Sequence, residues 1–206
     1  MEDKFWNQKN TVLSFANRLC SKYITDEIDR ICSTDNIFNV LDVGCGGGRY
    51  SRYIKNKRLH VIAVDKNSAM VDIVKNYGIE AIKCKMDNMC FENNTFDLVL
   101  SIGVLHNATS LKEYKAAVNE IYRVMKPNAH CLLSIFTDSI ITDDLKYIGD
   151  HKYIFDNGRP PMILLSKDQI LKIFKEQRFI INDIIDEHTT NVETGERNVL
   201  SIHLIK

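Results

Sequence analysis

Three glycines spaced Gly44-x-Gly46-x-Gly48 follow an apolar run, Phe38 to Val43, that carries one carboxylate, Asp42. Glycine lets the backbone approach a ligand closely, and a helix starting at Arg49 would offer free N–H donors. A second carboxylate, Asp65, ends the apolar run Leu59 to Val64, where it can accept from both hydroxyls of a ribose. Two carboxylates and a glycine turn at the carboxyl ends of neighbouring strands predict a ligand-binding crevice. A tight turn without a ligand is the alternative, but it leaves the placement of Asp65 unexplained. A dinucleotide fingerprint would put a third glycine or alanine at position 49, where this chain has Arg49.

The elements that would position these groups alternate between short apolar runs and helical patterns, which implies a mostly parallel sheet with helices on both faces. The strands are expected over Phe38 to Val43, Leu59 to Val64, Ile79 to Lys83, Phe96 to Ser101, Cys131 to Phe136, Phe179 to Ile185 and Asn198 to Ile205. Ser68 is the expected N-cap of the helix bearing Met70, Ile73, Val74 and Tyr77, which should stop at Gly78. Leu111, Tyr114, Val118, Ile121 and Met125 repeat at helical spacing until Lys126-Pro127-Asn128 breaks the helix, with Asn128 suited to positive φ. Ser166-Lys167-Asp168-Gln169 reads as a capping box. The last two strands have no helix between them, only a polar turn at Thr194-Gly195-Glu196, so they must pair antiparallel. The expected fold is therefore a doubly wound α/β sheet of seven strands, order 3-2-1-4-5-7-6, with the last strand antiparallel. Residues 1–32 read as a helical cap and 137–165 as a long irregular insertion, within one domain spanning 1–206.

Composition narrows the function classes. Lys+Arg and Asp+Glu are 27 each, so no net field attracts a polyanion, and bulk nucleic-acid binding is disfavoured without being ruled out. No stretch approaches a membrane span, the start of the chain lacks the apolar run of a signal peptide, and a cytoplasmic protein is expected. The six cysteines, at 20, 32, 45, 84, 90 and 131, show no Cys-x-x-Cys pair and no zinc spacing. Most read as reduced, buried residues, and no metal site is expected.

Taken together, the motifs resemble those of class I S-adenosylmethionine (SAM)-dependent methyltransferases. Leu41-Asp42-Val43-Gly44-Cys45-Gly46-Gly47-Gly48 looks like that family's first motif and Asp65-Lys66-Asn67-Ser68-Ala69-Met70 its second. Asp87 with Phe91, and Phe96 to His106, resemble the next two; Met125-Lys126-Pro127-Asn128-Ala129 stands where the family has Leu-Lys-Pro-Gly-Gly. The resemblance implies SAM as cofactor. It places Asp42 toward the amino group, Gly44, Cys45 and Gly46 along the methionine part, and Asp65 and Lys66 at the ribose. It further places Met70 nearby, Asp87 at the adenine amino group, Asn88 and Met89 beside the ring, and Ser101 and Ile102 at the amino-acid end.

Methyl transfer from a sulfonium needs in-line alignment and exclusion of water, and a general base only when the nucleophile carries a proton. His106, just past the fourth strand, is the candidate base or acceptor contact, with a structural histidine as the alternative. Phe5 and Trp6 would either roof the acceptor or anchor the first helix. Phe136, His151, Tyr153 and Arg159 complete the candidate acceptor site; the plain alternative for 137–165 is a hairpin turning at Asp156-Asn157-Gly158. Arg49, Arg52, Lys55, Lys57 and Arg58 read as a solvated helix face. The expected activity is methylation of an oxygen or nitrogen of a small molecule by a monomer or homodimer. Ser101 to Thr109 and Tyr153-x-Phe155 also resemble the group that methylates wobble uridines of tRNA, the alternative reading, and a non-catalytic SAM-binding regulator is a third.

Overall fold

The computed structural model describes residues 14, 16–155, 159–192 and 195–206. Phe5 and Trp6, the Asp156–Gly158 turn and Thr194 lie outside them. In chain order the elements are α1 (Lys22–Thr34), β1 (Asn39–Val43), α2 (Arg49–Asn56), β2 (His60–Asp65), α3 (Ser68–Asn76), β3 (Glu80–Lys83) and β4 (Phe96–Ile102). A short 3-10 turn (Leu105–Asn107) leads to α4 (Leu111–Val124) and β5 (Met125–Phe136). Next come β6 (Leu145–Tyr147), β7 (Lys152–Phe155), β8 (Met162–Ile163), α5 (Lys167–Glu176), β9 (Ile180–Val192) and β10 (Gly195–Ile205).

The main sheet has the order β3-β2-β1-β4-β5-β10-β9. β10 is antiparallel to both of its neighbours, β5 and β9, and the other pairs run parallel. This is the order expected from the sequence, with the seventh strand of the sheet reversed. Alternation along the central strands divides the core in two. Leu41, Val43, Val99, Cys131 and Leu133 face α4 and α5, packing on Tyr114, Val118, Ile121 and Phe174. Val40, Leu98, Leu100 and Leu132 face α1 to α3, packing on Ile28, Ile31, Ile54 and Val74. Burial of both faces explains why these strands read as continuous apolar runs.

Several boundaries differ from expectation. Asn67, not Ser68, is the N-cap of α3. β5 begins at Met125, directly after α4, and Asn128 has φ of 63° as the Pro-Asn step requires. β9 continues to Val192, seven residues beyond the expected Ile185, because a polar edge strand carries little hydrophobic pattern to mark its end. The Ser166–Gln169 capping box is formed in both directions.

The 137–165 segment is not irregular: it folds into a small antiparallel sheet, β6-β7-β8. The β6–β7 connection turns at Gly149-Asp150-His151, all three at positive φ, and β7 and β8 pair antiparallel on either side of Asp156–Gly158, which lies outside the described residues. Leu145, Phe155, Met162 and Leu164 form a separate apolar cluster there. Arg197 of β10, fully buried, joins this sheet to the body by donating to Thr142 Oγ1 at 2.8 Å and sits 5.8 Å from the Phe155 ring centre. Among the described residues no helix is long and apolar enough to cross a membrane.

Candidate active site

The turn after β1 is held by the end of β2 and by the loop after β4. Cys45 N donates to Val64 O at the end of β2, 2.9 Å away. Gly44 has φ of 64°, and a Cβ there would lie 2.5 Å from Val104, so the loop after β4 closes against this glycine. Glycine at 44 is therefore required by backbone conformation and by a protein neighbour, beyond any approach of a ligand.

Asp42 is buried beneath the turn and accepts a hydrogen bond from Ser51 Oγ of α2 at 2.5 Å. Burial raises its pKa to about 6, with the Ser51 bond and Arg49 opposing the rise. Asp65 Oδ2 accepts from Gly46 N at 3.0 Å and Oδ1 from Asn67 N at 2.9 Å. Burial pushes its pKa up against those two bonds. Asp87 is different: its Oδ1 is buried and has no hydrogen-bond partner among the described residues. An orphaned carboxylate oxygen costs free energy unless a ligand supplies a donor.

All three carboxylates line one cavity of about 1060 Å³. The wall continues past Ile102 to His106, Phe136, Met162 and Val199, and on to Thr190 of β9 and Ser201 of β10. His106 is buried, its ring stacked on Phe136 with centroids 4.0 Å apart, and its Nδ1 accepts from Phe136 N at 3.2 Å. That bond leaves the ring proton on Nε2. Burial, reinforced by the charge of Arg197, lowers the His106 pKa to about 3, so the ring is neutral and serves as a donor. A base this weak has no use for taking a proton from an acceptor at neutral pH.

Of the residues expected at the cofactor, Asp42, Gly44, Cys45, Gly46, Asp65, Lys66, Met70, Asp87 and Ile102 line the cavity. Asn88, Met89 and Ser101 are not among its lining residues. Met89 belongs to the α4-side core, and its amide donates to Glu120 Oε2. Ser101 is fully buried inside β4. On the acceptor side, His106 and Phe136 line the cavity, whereas His151, Tyr153 and Arg159 are not on the described wall. The small sheet explains the difference: Tyr153 packs on Tyr147 and the local apolar cluster, and His151 lies 3.4 Å from Gln169 Nε2 of α5. Within 137–165 only Met162 is among the lining residues.

Lys55 and Arg58 of the basic cluster are exposed, as expected of a solvated face, but Arg49 and Arg52 are half-buried against the N-terminal segment. Arg49 Nη1 donates to Leu19 O at 2.9 Å, Arg52 Nη2 to Ala16 O at 2.7 Å, and Tyr50 OH accepts from Ser21 N at 3.0 Å. Gly47 lets this N-terminal segment lie directly on the turn, since a Cβ there would sit 2.2 Å from Ala16 Cα. Ser21 and Ile24 consequently join the cavity wall. The sequence reading also missed the wall residues His188, Thr190 and Asn191, because it ended their strand too early. Ser51 was legible only as a polar residue one helix after Asp42.

With this geometry in place, comparison with known proteins is informative. Residues 41–133 match the Methyltransferase domain family. Probable tRNA methyltransferase 9B of Homo sapiens is 31% identical over 97 residues, covering 47% of this chain and 21% of that protein. The chain thus spans about a fifth of the length of that relative. An uncharacterized protein of Methanocaldococcus jannaschii is 30% identical over 151 residues, 69% of this chain and 60% of the other. Among solved structures, a SAM-dependent methyltransferase from Methanosarcina mazei superposes with TM-score 0.73 at 18% identity, over 86% of this chain and 96% of that one. The Burkholderia thailandensis 1,6-didemethyltoxoflavin-N1-methyltransferase, solved with its acceptor and S-adenosylhomocysteine, gives TM-score 0.67 at 16% identity, over 90% and 77%.

The sheet has the fold of the Methanosarcina mazei SAM-dependent methyltransferase, and residues 41–133, with the carboxylates at the ends of β1 and β2, match the Methyltransferase domain family. The unsatisfied Asp87 oxygen lines the same cavity as Asp65, and these carboxylates would fit the adenine amino group and ribose of SAM.

Proposed function

We propose that this protein transfers the methyl group of SAM to an oxygen or nitrogen of a small-molecule acceptor. The observation that carries the reading is the continuity of one cavity from Asp42, Asp65 and Asp87 to the wall of His106, Phe136, Met162 and Val199. When bound, SAM supplies an electrophilic methyl on a positively charged sulfur. Asp87 Oδ1 would accept from its adenine amino group, Asp65 from its ribose hydroxyls, and Asp42 from its amino group directly or through water. Phe136, Met162 and Val199 give the acceptor an apolar seat that excludes water, and His106 Nε2–H orients it through a donated hydrogen bond. The nucleophile must then arrive without a proton that His106 has to remove.

A second reading, a nucleoside within tRNA, is supported by the similarity to proteins named tRNA methyltransferase 9B and by a tRNA (carboxymethyluridine(34)-5-O)-methyltransferase of Arabidopsis thaliana, 29% identical over 97 residues. The balanced charge of the chain favours the small acceptor. Tritiated-methyl SAM incubated with the protein and either a metabolite extract or bulk tRNA separates the readings. Label in the metabolite fraction supports the first; label confined to tRNA replaces it with the second, and label in neither overturns both.

A further inference from the structure

The loop joining β3 to β4 carries Asp87, and two side chains from the last turns of α4 hold that loop. Met89 N donates to Glu120 Oε2 at 2.6 Å, and Met89 O accepts from Arg123 Nη2 at 3.0 Å. Arg123 Nη1 donates to Phe91 O at 2.6 Å and to Asn93 Oδ1 at 2.9 Å. The same guanidinium grips Glu120, through Nε to Oε1 at 2.7 Å and through Nη2 to Oε2 at 2.8 Å. All five N–H donors of Arg123 are thereby used, on one carboxylate, two backbone carbonyls and one side-chain amide oxygen. The Met89 side chain is buried in the α4-side core, so this residue is fixed by its amide, its carbonyl and its side chain. On the other side of Asp87, Cys84 N donates to Asp65 O at 3.0 Å, and a bridge pairs Lys85 with Asn88.

We infer that Glu120 and Arg123 are positioning residues for the adenine end of the site. They set where the Asp87 carboxylate stands, and so how strongly the site demands an amino group on the purine. This rests on the role proposed for Asp87 above. Asp87 Oδ1 is buried and has no partner among the described residues, so no hydrogen bond to that oxygen anchors it. A buried carboxylate oxygen without a donor gains free energy by turning toward water. The turn that carries it is tied at Cys84 and again at Met89, two residues past Asp87, and that restraint opposes the turning. The pair itself is shielded, with side chains 17% exposed at Glu120 and 29% at Arg123. Its bonds to Arg123 hold Glu120 below the usual carboxylate range against burial, so the pair is charged at neutral pH. Lysine at 123 would keep the charge, but a single ammonium cannot span Glu120, Met89, Phe91 and Asn93.

The test titrates two ligands calorimetrically into the full chain and its variants, with a melting curve for each variant. One ligand is S-adenosylhomocysteine; the other is its analogue with hydrogen in place of the purine 6-amino group. Wild type should prefer S-adenosylhomocysteine by about ten-fold or more, the value of one hydrogen bond to a carboxylate. Arg123→Lys and Glu120→Ala should cut that preference to about three-fold or less, by weakening S-adenosylhomocysteine while the analogue binds nearly as before. Glu120→Gln, whose amide oxygen can still accept from Met89 N, should recover most of the preference. Equal weakening of both ligands, or a lower melting temperature with the preference intact, makes the pair a structural tether and overturns the inference. Should Arg123→Lys fail to fold, Glu120→Ala against Glu120→Gln reads the same ratio. Asp87→Ala shows which reading has failed. Preference lost in Asp87→Ala but kept in Glu120→Ala overturns the positioning role alone. Preference kept in Asp87→Ala, or absent in wild type, overturns the adenine role of Asp87 and the positioning with it.

Discussion

Asp65 and Asp87 bring the same functional group to the same cavity, yet only Asp65 is also used by the fold. Its two oxygens hold the amides of Gly46 and Asn67, so Asp65→Ala should lower both S-adenosylhomocysteine affinity and thermal stability. Asp87 Oδ1 holds nothing in the described protein. Asp87→Ala should therefore weaken binding by about 1.5–3 kcal/mol with a melting temperature unchanged or raised. Calorimetric titration paired with a melting curve checks the contrast; equal losses of stability in the two variants would contradict it. His106 gives a second residue-scale prediction. Because its ring is neutral with a pKa of about 3, His106 should add no inflection to the pH profile of kcat/KM between pH 5 and 8. His106→Ala should reduce turnover by about ten-fold, the loss of one donated hydrogen bond, with SAM affinity preserved. His106→Gln, which retains an N–H donor, should recover part of that loss. An inflection that disappears in His106→Gln would show that the imidazole titrates and acts as a base.

At the level of elements, α1 is tied to the sheet by a chain of titratable groups. His203 Nδ1 of β10 lies 2.7 Å from Glu27 Oε1 of α1, with Arg30 and Asn182 against the same nitrogen. His203 Nε2 lies 2.9 Å from His130 Nδ1 of β5, whose Nε2 is 3.6 Å from Asp35 Oδ2. Burial lowers the pKa of both imidazoles, outweighing the carboxylates that would raise them. The folded state thus binds fewer protons than the unfolded chain, so their contribution is complete above the ordinary histidine value of about 6.5 and falls as pH drops through it. Glu27, held below the carboxylate range by Arg30, adds a further loss in more acid solution. Denaturant midpoints measured from pH 8 to pH 5 should fall, and His203→Gln should flatten that decline; an equal slope in the variant would remove His203 from the linkage. The N-terminal segment before α1 depends on a different contact. Gly47→Ala would drive a methyl into Ala16 Cα, so trypsin should cut at Arg18 sooner than in wild type. Unchanged cleavage would mean the segment adjusts without leaving the turn.

Across the whole molecule, the turns after β1 and β2, the β3–β4 loop and the β4 end meet in one cavity, so a ligand there should stabilise the entire sheet. At a free S-adenosylhomocysteine concentration of one hundred times Kd the gain should be about 2.7 kcal/mol, visible as a thermal shift, whereas NAD should give none. A comparable shift with NAD would refute the cofactor assignment, which in sequence terms rests on Arg49 standing where a dinucleotide site has glycine or alanine. Much of this architecture was legible in the residues themselves. The βα alternation, the glycine turn with Asp42 and Asp65, and a terminal strand pair without a helix set the strand order and the ligand end of the sheet. These are local patterns, and the sheet order follows because short connections leave few topologies open. The tertiary structure alone decided what each polar group does. It gave Asp65 two backbone partners and left Asp87 Oδ1 with none among the described residues, and it made His106 a neutral donor by placing it under the Phe136 amide. It spent Arg49 and Arg52 on the carbonyls of Leu19 and Ala16, and turned Tyr153 into a small separate core. Hydrogen-bond partners distant in sequence leave no periodic signal, and burial, which sets protonation, is a property of the packed chain rather than of any segment.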